Sequence, residues 1–106
     1  MSWVSRSGSL GVDHSANAST VPISGYALLI TVAANTRRNF MEVQNQSTDL
    51  IQLVRDDGLN NNITTILLSG APSSGAQGAN WTSDTFKGRL RIYAPNSTDQ
   101  VACYED

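Results

Sequence analysis

Short runs of alternating apolar and polar residues, broken by polar turns every 8–15 residues or so, constrain this chain more than any other feature. Across 26–33, Tyr26, Leu28, Ile30 and Val32 form one face and Ala27, Leu29, Thr31 and Ala33 the other. Pro22 and Gly25 predict an irregular entry to that strand. A turn at 34–37 leads to a strand over 38–44 with Met41 and Val43 on one side. A second turn at 45–49 precedes 50–55, which reads as a strand with Ile51 and Leu53 inward. A helix there would have only about two turns, marginal on its own.

Asp56, Asp57, Gly58 and Asn60 to Asn62 make a loop, because these residue types tolerate left-handed backbone. Strands follow over 63–69, 81–86, 89–94 and 100–105, with 70–80 a long Gly-rich surface loop between the first two. In 89–94, Leu90 and Ile92 are expected to face inward and Arg89, Arg91 and Tyr93 outward. In 100–105, Val101 and Cys103 face in and Ala102 and Tyr104 out. About seven strands of this kind predict an all-β domain, a single β-sandwich or small barrel spanning 20–106.

Residues 1–19 show neither strand nor helix periodicity, so they are expected to form an extended N-terminal arm. Trp3, Val4, Leu10 and Val12 punctuate it. Two roles are open to such an arm: docking on a neighbouring subunit, or folding back on its own domain.

Size and charge narrow the function classes. A chain of 106 residues suits one domain, burying roughly 65% of its surface on folding. Ser, Thr, Asn and Gln supply 36 residues, charged residues are 15%, and Lys87 is the one lysine. This balance favours short strands and polar turns over helices. A net charge of −2 gives no electrostatic footprint for nucleic acid. No membrane association is expected either, since the longest strongly apolar run, 27–34, is far short of a span and is interrupted by Thr31. Residues 1–11 lack the charged start and apolar core of a signal peptide, so synthesis in a reducing cytoplasm is the expectation. Five N-x-S/T sequons, at Asn17, Asn45, Asn62, Asn80 and Asn96, are read as polar turns rather than glycan sites.

No catalytic, metal or cofactor constellation can be named from the sequence. His14, the sole histidine, lies in the irregular leader beside Asp13, where nothing would hold it between a nucleophile and an orienting group. Cys103, the sole cysteine, alternates inward as a small buried hydrophobe. One Cys and one His cannot supply a zinc site. The run Asp56, Asp57, Gly58 departs from the calcium-loop spacing and lacks its closing Glu. The chain is therefore expected not to be an enzyme.

The candidate contacts are instead those of a partner surface. Arg37 and Arg38 open a strand, free to anchor a partner's carboxylate or phosphate or to pair with acids of their own domain. Arg89, Arg91, Tyr93 and Tyr104 would form one outward patch if the last two strands paired as a hairpin, a combination that suits interfaces. Trp3, Val4 and Leu10 add contacts from the arm. Trp81, Tyr93 and Tyr104, with many amide side chains, offer the alternative of a carbohydrate- or receptor-binding module of a tail fibre.

Residues 34–47 (ANTRRNFMEVQNQS), 66–72 (ILLSGAP) and 100–105 (QVACYE) together resemble small accessory proteins of tailed bacteriophage virions. The resemblance covers about residues 30–106, and the leader 1–19 departs from it. It implies a non-enzymatic structural role in the virion, made in the host bacterial cytoplasm: a capsid decoration or cement protein, or a vertex (head-fibre base) component. The implied partners are the major capsid protein or another virion component, and further copies of the chain in a trimer or larger ring.

Overall fold

The computed structural model describes residues 2–7, 23–56 and 64–106. Their strands are β1 (Ser2–Ser7), β2 (Ala27–Val32), β3 (Met41–Asn45), β4 (Ile51–Asp56), β5 (Thr64–Leu68), β6 (Asn80–Ser83), β7 (Arg89–Ala94) and β8 (Gln100–Glu105). They form two four-stranded sheets, ordered β1-β8-β3-β6 (sheet A) and β2-β7-β4-β5 (sheet B). Every pairing is antiparallel. The described residues thus make an all-β sandwich, the architecture expected from the alternation.

The core lies between the sheets. Met41, Val43, Val101 and Cys103 from sheet A meet Leu29, Ile30, Ile51, Leu53, Leu68, Leu90, Ile92 and Ala94 from sheet B. Each fully buried aliphatic of this kind contributes roughly 1.5–3 kcal/mol relative to leaving it in water. Two-residue alternation puts these side chains inward, and it holds on β3, β4, β7 and β8. On β2 it shifts, because Leu28 pairs with Tyr93 while Ile30 pairs with Ile92. The extra residue is a bulge that turns both Leu29 and Ile30 into the core.

Turns set the strand ends. Tyr26 N–H donates to Ile23 O at 2.9 Å, closing a turn whose third residue, Gly25, has φ 85°. Glycine adopts that conformation without a Cβ clash. β6 stops at Ser83, short of the expected 86, because Ser83 Oγ accepts the N–H groups of Thr85 and Phe86 at 3.2 and 3.0 Å. β3 begins at Met41 rather than residue 38, since Arg38 leaves the sheet and turns inward.

The stretch expected to be an arm contains β1, whose backbone pairs with β8 from Ser2↔Glu105 to Ser7↔Gln100. Trp3 thereby lies in register with Tyr104, and Val4 with Cys103. Leu10, His14 and residues 57–62 of the expected loop lie outside the described residues, whereas Asp56, read as the first residue of that loop, closes β4 and is buried.

Candidate interaction surface

The hairpin on which the Arg/Tyr patch depends does not form. β7 lies in sheet B between β2 and β4, and β8 lies in sheet A between β1 and β3. Arg89, Arg91 and Tyr93 therefore occupy the outer face of sheet B, and Tyr104 the outer face of sheet A. Sequential strands need not pair, because a chain can cross from one sheet of a sandwich to the other between them.

Arg91 and Tyr93 do point away from the inter-sheet core, yet they are not surface residues: 1% and 2% of their area is exposed. Tyr93 and Val54 form a second apolar cluster on this face, with Tyr26 and Leu28 packed against it. Beside them, the buried carboxylate of Asp56 takes two guanidiniums. Arg89 Nε and Nη2 reach Oδ1 and Oδ2 at 3.1 and 3.0 Å, and Arg91 Nη2 reaches Oδ2 at 2.8 Å. Arg91 Nη1 also donates to the Tyr93 hydroxyl at 3.3 Å. A buried carboxylate needs such partners, because its desolvation costs several kcal/mol or so. Only Arg89 keeps appreciable access to solvent. The expected Arg/Tyr contact patch is mostly an internal ion-pair cluster.

Arg37 and Arg38 separate in the same way. Arg37 is exposed, in a turn where its N–H donates to Asn35 Oδ1 at 3.0 Å. Arg38 is buried. Its Nε donates to Glu105 Oε1 at 2.8 Å, Nη1 to the carbonyls of Phe86 and Gly88 at 3.3 and 3.0 Å, and Nη2 to that of Ala33 at 2.7 Å. The planar fork of arginine suits this job, reaching three carbonyls and a carboxylate at once. Lys87 Nζ donates to the Arg38 carbonyl, so the two segments hold each other. Of the two readings left open for Arg38, pairing within its own domain is the one observed.

The three aromatics of the carbohydrate-binding alternative do not share a surface. Trp81 packs on the inter-sheet core, edge-on to Phe86 at 6.0 Å, with the Arg55 guanidinium 5.7 Å from its ring centre. Tyr93 is buried on sheet B. Tyr104 is half-buried on sheet A, edge-on to Phe40 at 6.0 Å. Its hydroxyl is pushed above the usual phenol range, first by desolvation and then by the charge of Asp106.

Sequence reasoning missed two polar centres. Asn45, read as the start of a turn, is fully buried. Its Nδ2 donates to the carbonyls of Asp49, Leu68 and Ser69 at 2.8, 3.0 and 3.2 Å, while its Oδ1 accepts from Ser47 N–H and Oγ at 2.9 and 2.8 Å. That sequon amide is consumed internally. The second centre joins the turn before β4 to the turn before β8. Asn96 Nδ2 donates to Asp49 Oδ2 at 2.8 Å and Asn96 N–H to Asp99 Oδ2 at 3.2 Å. The Asp99 carboxyl is pushed up to about 6, first by burial and then by its hydrogen bond with Asp49, against the lowering effect of the Asn96 N–H. The sequence marks the local turns at Asn45 and Asn96, but not the bonds from Asn45 to Leu68 and Ser69 or from Asn96 to Asp49, which join residues distant along the chain.

A third feature is apolar. Ile23, Leu50 and Leu67 are the large hydrophobic side chains that stay exposed among the described residues. All three gather around Gln52 on the outer side of sheet B. Ile23 N–H donates to Gln52 Oε1 at 3.0 Å, Leu67 is the cross-strand partner of Gln52, and Leu50 precedes it by two positions. The Tyr26 hydroxyl donates to the Leu50 carbonyl at 2.8 Å, fixing that corner. Among the described residues no group of three or more His, Cys, Asp or Glu side chains is placed to hold a metal ion. No protein-family model, curated protein or solved structure matches this chain.

Proposed function

We propose that this chain is a non-enzymatic structural protein of a tailed-phage virion, a capsid decoration or vertex component that binds the capsid lattice as a homo-oligomer. One observation supports the reading best. The three segments that carry the resemblance, far apart in sequence, are bound into one unit by two buried side chains. Arg38 in 34–47 pairs with Glu105 in 100–105, and Asn45 in 34–47 holds the carbonyls of Leu68 and Ser69 in 66–72. The segments on which the reading rests therefore form a cross-linked structural frame, as befits a part whose task is to persist in an assembly. The partner contacts of that frame fall to its open edges and exposed side chains such as Arg37, because Arg38, Arg91 and Tyr93 are occupied inside.

An antibody raised against the chain tests this on particles of the phage that encodes it. Regular labelling of heads or vertices, seen by electron microscopy, is the expected result. A chain abundant in the infected-cell lysate but absent from purified particles would sink the reading.

A further inference from the structure

We infer that β5 is a self-pairing edge. Two copies of this chain join antiparallel through Thr64–Leu68 about a two-fold axis near Ile66, so that sheet B of one copy continues into sheet B of the other. The inference rests on the homo-oligomer reading above and makes it specific, replacing the trimer or larger ring implied by the resemblance with a two-fold pair.

The open edges of the sandwich differ in how they are guarded. A strand at the edge of a sheet presents unpaired N–H and C=O groups, and folded proteins blunt such edges with charges, bulges or short strands. β2 carries its bulge between Leu28 and Ile30. β6 has four residues. β1 has Arg6 in its sequence. β5 has none of these devices: TTILL contains no charge and no proline, and it runs in unbroken register along β4 from Ile51↔Leu68 to Arg55↔Thr64. Among the described residues no strand pairs with its other side.

Charge selects the occupant. An uncharged Thr/Ile/Leu edge offers no complement to an acidic or basic strand, whereas against its own copy it meets no like charge. Antiparallel pairing about Ile66 places Thr65 opposite the second copy's Leu67, on the outer face, and Ile66 opposite Ile66. Leu67 is 52% exposed in the single chain, and the corner it shares with Leu50 and Ile23 around Gln52 lies beside this edge. Association of two such edges brings both apolar corners to the seam. A two-fold contact uses the same patch on both copies and closes after two.

Sedimentation velocity of the full chain over a wide concentration range reads the association directly. The expected result is a concentration-dependent dimer. Combining Thr65→Lys with Leu67→Lys sets like charges opposite each other twice, and should weaken that dimer at least about tenfold. Pairing Thr65→Lys with Leu67→Glu sets opposite charges across the same register and should restore it. Thr82→Lys, a charge at an exposed site on sheet A, should leave it unchanged. All these side chains are exposed, and circular dichroism confirms that the variants fold. A wild-type chain that stays monomeric throughout overturns the inference. So does a dimer that ignores the lysine pair, or one that Thr82→Lys weakens equally. A dimer of this kind from a chain that never labels virions keeps the inference and fails the functional reading. Labelled virions with a chain that never pairs through β5 do the reverse.

Discussion

Arg38 Nε lies 2.8 Å from Glu105 Oε1, an ion pair that joins residues 67 positions apart and ties the turn before β3 to the last strand. The guanidinium is buried, whereas 36% of the Glu105 side chain is exposed. The two partners are therefore unequal. Arg38 also satisfies three backbone carbonyls, and Glu105 can return to water.

Replacing Arg38 should accordingly cost far more than replacing Glu105. Arg38→Met strips the carbonyls of Ala33, Phe86 and Gly88 of their donor, and the loss should be at least about 2 kcal/mol, since each buried unsatisfied acceptor costs about 1–3. Arg38→Lys should recover little, because one ammonium cannot span the fork. Glu105→Gln removes the counter-charge of a buried guanidinium but keeps an oxygen for Arg38 Nε and a partly solvated side chain, so it should cost clearly less than Arg38→Met. Urea midpoints of the three variants check the order.

Asn45 offers a contrast between removing donors and reversing them. Asn45→Ala removes the Nδ2 donor shared by the carbonyls of Asp49, Leu68 and Ser69 and the acceptor of the Ser47 N–H. The loss should be about 2 kcal/mol, although Asp49 O keeps Ser47 Oγ and Ser69 O keeps Ala79 N–H. Asn45→Asp puts an acceptor against those carbonyls and should be worse at neutral pH than Asn45→Ala. Equal midpoints for the two variants would contradict the hub.

The Asp56 carboxylate is buried between Arg89 and Arg91. Asp56→Asn keeps the shape and removes the charge that both guanidiniums share. The expected cost is about 3–5 kcal/mol, typical of breaking a buried pair from one side. Arg89→Ala, at the partly solvated end of the cluster, should cost clearly less. Thermal or urea unfolding of both variants measures the difference.

Asp99 makes stability depend on pH in the direction opposite to most carboxylates. Its folded pKa of about 6 lies above the unfolded 3.8, so the folded state holds its proton more tightly. The stability it contributes is fully present below 3.8 and is lost as the pH rises through about 6. Asp99→Asn should flatten the pH profile of the unfolding midpoint between those two values. Asp49→Asn, which removes the neighbouring charge, should also reduce the slope. A wild-type profile that rises with pH across that window, and is unchanged by Asp99→Asn, would rule the assignment out.

Much of the fold was legible in the residue order, and particular strands show why. On β7 the sequence places Leu90 and Ile92 inward, and on β8 Val101 and Cys103, as observed. The same local rule placed Met41, Val43, Ile51 and Leu53. Alternation is a property of an extended backbone, so it requires no knowledge of what lies next to the strand. It missed the bulge at Leu29, which inserts one residue without changing the composition of the run.

The candidate site was less legible. Alternation says that Arg91 and Tyr93 face away from the core, but not whether water meets them there. Their burial depends on Asp56 and Val54, contributed by a different strand. The same holds for Arg38, whose acceptors come from residues 33, 86, 88 and 105. Whether an arginine serves a partner or its own domain is set by desolvation and hydrogen-bond geometry, which exist only once distant segments meet.

The sequence by itself determined the all-β class, the approximate places of β2 to β8 and most of their inward side chains, because these follow from local backbone geometry and hydrophobic burial. β1 and the inward turn of Leu29 escaped it. Tertiary structure alone decided that β7 and β8 lie in opposite sheets, that Arg38 and Asp56 sit in buried polar networks, and that β5 is left as an uncharged edge. Strand neighbours are chosen by contacts between residues far apart in the chain, and no local pattern encodes them.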